Sequence, residues 1–304
     1  MLSLKTILVP TDYSTCAEGA LMHALHLADK LGAEVHLLHV QEDYAGPFQY
    51  RLGGGDAVGG GSTVGDSVAR WNGVAIRYYH RLHADPTAAI LEHARREDVD
   101  LIVLGTHGNR SMDRFLSDVP DHWIIGATAE QIVKTADRPV FAVGPRSSRR
   151  PDLVEAVLVP VDFSRNGQRA LRYGVELARL YGAELRFLHV VPAADARSEA
   201  ERRLRALSEA VLGPGSNARV EVRAGRPADV ILDVASGLTQ GLVVLGSHGQ
   251  HTETVHPLGR DVEHVIRAAP CPVFVDRVAG KSLLKPKTQE TAVRPAPLPA
   301  QPML

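Results

Sequence analysis

The sequence predicts two doubly wound parallel α/β domains in tandem, each built round five strands. Three observations lead there. The chain has 304 residues, a soft prior for about two domains. It repeats itself at a slowly changing offset. Within each repeat, short β-branched runs alternate with segments of helical period, the pattern of strands covered by helices on both faces.

The repeat fixes the frame. Residues 31–40 (LGAEVHLLHV) match 181–190 (YGAELRFLHV), and 7–14 (ILVPTDYS) match 157–164 (VLVPVDFS), both at an offset of 150. Leu104-Gly-Thr-His-Gly108 matches Leu245-Gly-Ser-His-Gly249 at 141, and Pro139-Val-Phe141 matches Pro272-Val-Phe274 at 133. The falling offset locates nine extra residues of the first copy between Val40 and Gly105, and eight more between Gly108 and Pro139. Both belong in loops, because an insertion inside a buried strand breaks its packing.

Strands are expected at 7–9, 35–40, 74–79, 101–104 and 140–143, then at 156–159, 185–191, 218–222, 242–245 and 273–275. Thr15-x-x-Glu18 has capping-box spacing for the first helix. Ala17, Ala20, Leu21, Ala24, Ala28 and Leu31 share one of its faces. Asp85-Pro86 and Arg226-Pro227 each set a proline at a first helical position. Gly32 and Gly182 stand where a helix ends in a left-handed turn.

Between the repeats, Gly144 to Asp152 carries arginines, Pro and Ser and reads as a linker. Gly53 to Gly65 holds seven glycines in thirteen residues. It reads as a flexible tether, since a phosphate loop ends in Lys-Ser/Thr and this one does not. After Asp276 the periodicity stops, and five prolines follow from Pro286 to Pro302. The units are therefore 1–146 and 153–278, with a disordered Pro-rich tail over 279–304.

Composition narrows the function. Thirty-four Lys+Arg against 35 Asp+Glu leave a net charge of −1, which gives no global reason to bind nucleic acid or an anionic membrane. Cys16 and Cys271 cannot make a disulfide scaffold and lack CxxC spacing, so both read as buried small apolar groups. No apolar run nears the roughly 20 residues of a membrane span. The four-residue apolar stretch that ends at Pro10 is too short for a secretory signal core, and a soluble cytoplasmic chain is expected.

In doubly wound sheets, ligands bind beyond the carboxyl ends of the strands, at the switch point. Asp12 and Asp162 follow the first strands. Either can bind a ribose hydroxyl or serve as a structural acid near a helix start. Gly105-Thr-His-Gly108 and Gly246-Ser-His-Gly249 follow the fourth strands, where glycines let amide groups approach an anion. Helices expected near Ala127 and Arg260 add their N-terminal amides.

These segments carry a family resemblance. P-T-D-Y-S and P-V-D-F-S after strand 1, G-A-E-x-x-x-L-H-V around strand 2, L-I-V-L-G-T-H-G at strand 4 and A-P-C-P-V-F-V at strand 5 make each half resemble a universal stress protein domain. The whole resembles the tandem members. That resemblance implies a Rossmann-like fold akin to the adenine nucleotide alpha hydrolases, with sheet order 3-2-1-4-5. It also implies pairing through the fifth strands as an internal pseudo-dimer, and leaves room for a homodimer. An exposed fifth edge strand needs such a partner on physical grounds too.

The resemblance further implies ATP binding through G-x2-G-x9-G followed by Ser or Thr, with or without Mg2+. Carried over, the first site takes Thr11, Asp12, Val40, Gly105, His107, Gly108 and Gly126, then Ala127 and Thr128. The second takes Val161, Asp162, Val190, Gly246, His248, Gly249, Gly259 and Arg260. Both depart from the pattern. Seventeen residues separate Gly108 from Gly126, and Ala127 holds the hydroxyl position although Thr128 follows. In the second copy the spacing is nine, but the hydroxyl position is Arg260, which can pair a phosphate or fill the pocket. Spacing favours the second copy. The extra segment 109–125, with Met112, Phe115, Trp123, Ile124 and Ile125, is expected to pack on the surface or partner domain rather than close as a lid.

The function so implied is a stress-response sensor or adaptor binding ATP or a related adenine nucleotide, with a protein partner of unknown kind. No positioned base identifies catalysis, so slow ATP hydrolysis ranks below binding. Walker A, G-x-S-x-G and dinucleotide fingerprints are absent. The alternatives are a nucleotide-free scaffold of the same fold and a zinc-binding member. For zinc, His248, His251, His256 and His264 fit no standard spacing, and His80 with His83 make a weaker pair.

Overall fold

The computed structural model describes residues 2–42, 63–108, 125–213, 218–238, 240–247, 258–277 and 280–284. In the first half the elements run β1 (Thr6–Thr11), α1 (Thr15–Leu31), β2 (Glu34–Gln41), β3 (Thr63–Trp71), β4 (Val74–Leu82), α2 (Pro86–Arg96), β5 (Leu101–Gly105), α3 (Ala127–Thr135) and β6 (Val140–Val143). In the second they run β7 (Ala156–Pro160), α4 (Arg165–Tyr181), β8 (Glu184–Val191), α5 (Arg197–Leu212), β9 (Arg219–Ala224), α6 (Pro227–Ser236), β10 (Gly241–Gly246), α7 (Arg260–Ala268) and β11 (Val273–Asp276).

All strands join one eleven-stranded sheet, ordered β3-β4-β2-β1-β5-β6-β11-β10-β7-β8-β9. Each half thus contains the parallel order 3-2-1-4-5, as β4-β2-β1-β5-β6 and β9-β8-β7-β10-β11. The switch point of each half lies between its first and fourth strands. Strand alternation builds two apolar layers. Ile7 and Val9 face the layer of α1 and α4, with Ala24, Leu27, Leu171 and Tyr173. Leu8 faces the layer of α2, α3, α6 and α7, with Ile90, Ile132, Ile231 and Val265. No helix among the described residues is long and apolar enough to cross a membrane.

The helix ends follow the sequence signals, with one shift. Gly32 and Gly182 end α1 and α4 in the left-handed region, at φ 69° and 66°. Pro86 and Pro227 open α2 and α6. The N-cap of α1 is Ser14, not Thr15: the Ala17 N–H donates to Ser14 Oγ at 3.3 Å. Ser164 caps α4 in the same way, accepting from the Gly167 N–H at 2.9 Å.

The first insertion corrects the loop reading. Residues 63–71 form β3, which runs antiparallel to β4, so the end of the glycine-rich stretch belongs to a strand. In the second half the corresponding connection is the helix α5, which packs on β8 and β9. The copies therefore differ here in kind as well as in length. The rest of the glycine-rich stretch lies outside the described residues.

The tail reading is corrected as well. Residues 280–284 fold back over both halves. The Leu283 N–H donates to the buried Tyr173 hydroxyl at 2.9 Å, and the Ser3 N–H to Leu283 O at 2.7 Å. Lys281 Nζ pairs with Asp100 Oδ1 at 2.7 Å. Leu283 joins the core beside Leu2, Leu4 and Leu27. The remainder of the tail lies outside the described residues.

At the seam β6 and β11 run antiparallel, with Phe141 opposite Phe274. Beside it α3 and α7 share four charges. Lys134 reaches Glu130 at 2.5 Å and Glu263 at 3.4 Å, while Arg267 reaches Glu130 at 2.8 Å and Glu263 at 2.7 Å. Two arginines cross the seam to helix C-termini, where carbonyls lack intrahelical partners. Arg146 donates to Ala268 O. Arg277 donates to Ala136 O, Val133 O and Lys134 O at 2.9, 3.0 and 2.8 Å. Arg277→Ala strips three carbonyls of charged donors and is expected to lower unfolding stability by about 2 kcal/mol, read from urea denaturation.

Candidate functional site

A cavity of about 740 Å³ opens in the first half, above the carboxyl ends of β1, β2 and β5. Its walls grow from four chain turns. The β1 end gives Thr11, Asp12 and Ser14; the β2 end gives His39, Val40 and Glu42. The β5 end gives Gly105 to Gly108, and the start of α3 gives Gly126 to Thr128. The apolar side comes from Leu38, Pro86, Ile90 and Ile125.

Local chemistry fixes each wall. The Ser14 N–H donates to Asp12 Oδ1 at 3.0 Å, which turns the chain back toward α1. Tyr13, between them, takes a left-handed φ of 63°, and Phe163 takes 60° at the same place in the second half. Ser14 Oγ donates to His107 O at 3.2 Å and so ties this turn to the glycine turn. The Gly126 N–H donates to Thr106 O at 2.8 Å, bringing α3 to the same edge. No side chain among the described residues caps α3, so among them its first-turn amides have no side-chain acceptor.

The two glycines of the turn do different work. A Cβ on Gly108 would meet Asp12 Oδ2 at 2.4 Å, so this glycine keeps room above the acid. A Cβ on Gly105 would meet the Cys16 carbonyl carbon at 2.7 Å and Ala17 N at 2.8 Å. Gly105 therefore serves the close approach of α1 to β5. Cys16 is buried in that contact, and desolvation pushes its thiol up from the ordinary range. A reactive thiolate is not what this environment makes.

Sequence reasoning missed His39 and its counterpart His189. Each imidazole Nδ1–H donates to a β1-type strand end, His39 to Thr11 O at 2.8 Å and His189 to Val161 O at 2.6 Å. They lock the mouth of strands 1 and 2 together. The duplicated Leu-His-Val was the signal that could have found them. Glu42 was also missed. With Asp12 it puts two carboxylates on the described lining beside His39 and His107, with no lysine or arginine among those residues.

In the second half the same frame recurs in part. Asp162 Oδ1 accepts from the Ser164 N–H at 2.9 Å and from Ser164 Oγ at 2.7 Å. The Gly259 N–H donates to Ser247 O at 2.9 Å, and Arg260 opens α7 on the exposed side. Gly246 ends β10, and Val190 sits in β8 beside Arg223 of β9. The Arg203 guanidinium of α5 lies over the Phe163 ring at 4.3 Å, and His189 meets that ring at a tilt, 4.7 Å between centroids. His248 and Gly249 lie outside the described residues, as do His251 and His256. The cavity thus stands in the half whose glycine spacing departs from the pattern. Of the segment 109–125, only Ile125 is described, buried and on the cavity wall. Among the described residues no three His, Cys, Asp or Glu side chains group closely enough to hold a metal ion.

The sheet order and a cavity at its switch point define a Rossmann-like α/β protein made of two such units. The sequence profile of the Universal stress protein family matches residues 3–144 and 154–277, and the chain belongs to that family. A universal stress protein of Methanocaldococcus jannaschii is 28% identical over 152 residues, covering 46% of this chain and 81% of that protein. A universal stress protein structure from Archaeoglobus fulgidus shares the fold over 90% of this chain and 97% of its own, with a TM-score of 0.62 at 21% identity. A universal stress protein solved in complex with cAMP aligns with 40% of this chain and 93% of its own, at 23% identity and a TM-score of 0.33.

Proposed function

We propose that the first half binds ATP or a related adenine nucleotide, and that the chain serves in the cytoplasm as a stress-response sensor or adaptor. One observation carries this reading: the acid, the glycine turn and an uncapped helix N-terminus line a single open cavity. The apolar side of Leu38, Pro86 and Ile90 suits a flat base, with the Val40 backbone at its edge. Asp12 suits a ribose hydroxyl. The amides of 105–108 and the start of α3 suit phosphate oxygens. No lysine or arginine among these residues offers a triphosphate a countercharge, so a nucleotide entering as its Mg2+ complex would bring its own charge neutralisation.

The two units, 1–146 and 153–278, act in this reading as an internal pair, and nucleotide occupancy in one half alters what the pair presents to a protein partner. The second half, with Arg203 on Phe163 and Arg260 in the hydroxyl position, serves as the pairing half.

The test is direct. Protein purified without added nucleotide is denatured, and the supernatant is chromatographed; the stripped protein is then titrated calorimetrically with Mg·ATP, adenosine and GTP. An adenine nucleotide released at about one per chain, or saturable binding of Mg·ATP with no response to GTP, is the expected result. No released nucleotide together with no heat at millimolar Mg·ATP would leave only the scaffold reading.

A further inference from the structure

The outer strand of the first half is built unlike anything else in the sheet. β3 pairs with β4 along one edge, and no described residue pairs with its other edge. Residues 67–73 are exposed throughout, so over 67–71 the strand shows both faces to solvent. Three large apolar side chains stand out on this hairpin: Val68 at 64% exposure, Trp71 at 39% and Tyr78 at 38%. In the second half the corresponding connection is α5, which packs on β8 and β9 with Ala200 and Leu204 buried. The first half has a strand there instead.

A free edge with apolar side chains on both faces is a template for another strand, and natural sheets normally blunt it. The sequence of β3 says which strand fits. In an antiparallel copy centred on Val68, Val68 falls opposite Val68, Ser67 opposite Ala69, and Asp66 opposite Arg70. The charges are opposite in sign at both symmetric positions. An in-register parallel pairing would instead set Asp66 on Asp66 and Arg70 on Arg70, which is unfavourable. Antiparallel pairing about one point is also the geometry of a closed two-fold dimer. Arg70 makes one exposed bond to Gly73 O at 3.1 Å within its own hairpin, which water can replace.

We propose that two copies of this chain dimerise through β3, edge to edge and antiparallel about Val68, joining their eleven-stranded sheets into one. The contact is small, which puts the dimer in the weak, concentration-dependent class. The proposal does not depend on nucleotide binding.

Sedimentation velocity of the full chain from about 1 to 100 µM tests it. The wild type is expected to shift from monomer to dimer across that range. Val68→Lys should be monomeric throughout, with an unchanged thermal midpoint, because Val68 packs on no core. Asp66→Arg and Arg70→Asp should each weaken dimerisation by about tenfold, and the double variant should recover wild-type affinity. A wild type that stays monomeric overturns the proposal. So does a dimer that Val68→Lys leaves intact, and so does failure of the charge exchange to restore pairing.

Discussion

Acidification below about pH 6.5 is expected to destabilise this chain before its surface carboxylates titrate. Two histidines set the window. His23 and His93 are 1% and 2% exposed, and each has an Nδ1 atom with no partner. Burial, with a neighbouring histidine adding in both cases, pushes each down from 6.5 to about 4. The unfolded chain therefore takes up these protons first. The stability each contributes is complete above pH 6.5 and is lost as pH falls toward 4, about 3 kcal/mol apiece.

Asp276 works the other way. It is fully buried, one carboxylate oxygen has no partner, and desolvation pushes it up from 3.8 to about 6 although Arg169 lies at 2.9 Å. The folded chain takes up that proton first, so stability rises by about 3 kcal/mol as pH drops from above 6 to below 4. One gain against two losses leaves a net loss of about 3 kcal/mol. Urea denaturation at about pH 7.5, 5.5 and 4.5 measures it. Asp276→Asn should deepen the loss, since its gain disappears, and His93→Gln should make it shallower. A flat profile would mean that water reaches these imidazoles in the folded state.

The second large effect separates the two glycines of the β5 turn. Gly108→Val places side-chain atoms where the Asp12 carboxylate and the cavity lie, and nucleotide affinity should fall by about 100-fold with little change in stability. Gly105→Ala should do the opposite first. Its Cβ meets backbone atoms of Cys16 and Ala17, which cannot swing aside, so α1 must shift from β5 at a cost of about 1–3 kcal/mol. Calorimetric titration and denaturation of both variants decide the matter. If Gly108→Val unfolds the protein while binding survives, the turn glycine serves the chain and not a ligand.

Several features are legible in the sequence alone. Continuous apolar runs mark the inner strands β1, β5, β7 and β10, because strands buried on both faces leave little choice of residue. Gly32 and Gly182 marked helix ends, because a left-handed φ is costly for other residues. Other features were hidden for equally physical reasons. β3 escaped notice because Gly65 and Ser67 weaken its pattern and residues 67–71 are exposed on both faces, which leaves no apolar alternation to read. The cap at Ser14 was displaced by one residue because the turn from Asp12 through Tyr13 sets where the helix starts. Gly105 reads the same as Gly108 in sequence; only the distance to Cys16 distinguishes them.

By itself, the sequence determined the duplicated framework: ten parallel strands, the ends of α1 and α4, and which turns face the switch point. Those depend on neighbours within a few residues, so local periodicity suffices. Only the tertiary structure decided that the four turns of the first half enclose a cavity of about 740 Å³ and that residues 280–284 close back on Leu2 and Tyr173. It alone decided that Arg277 reaches across to α3. Such contacts join groups more than a hundred residues apart, and no pattern along the chain records a partner that folding alone brings near.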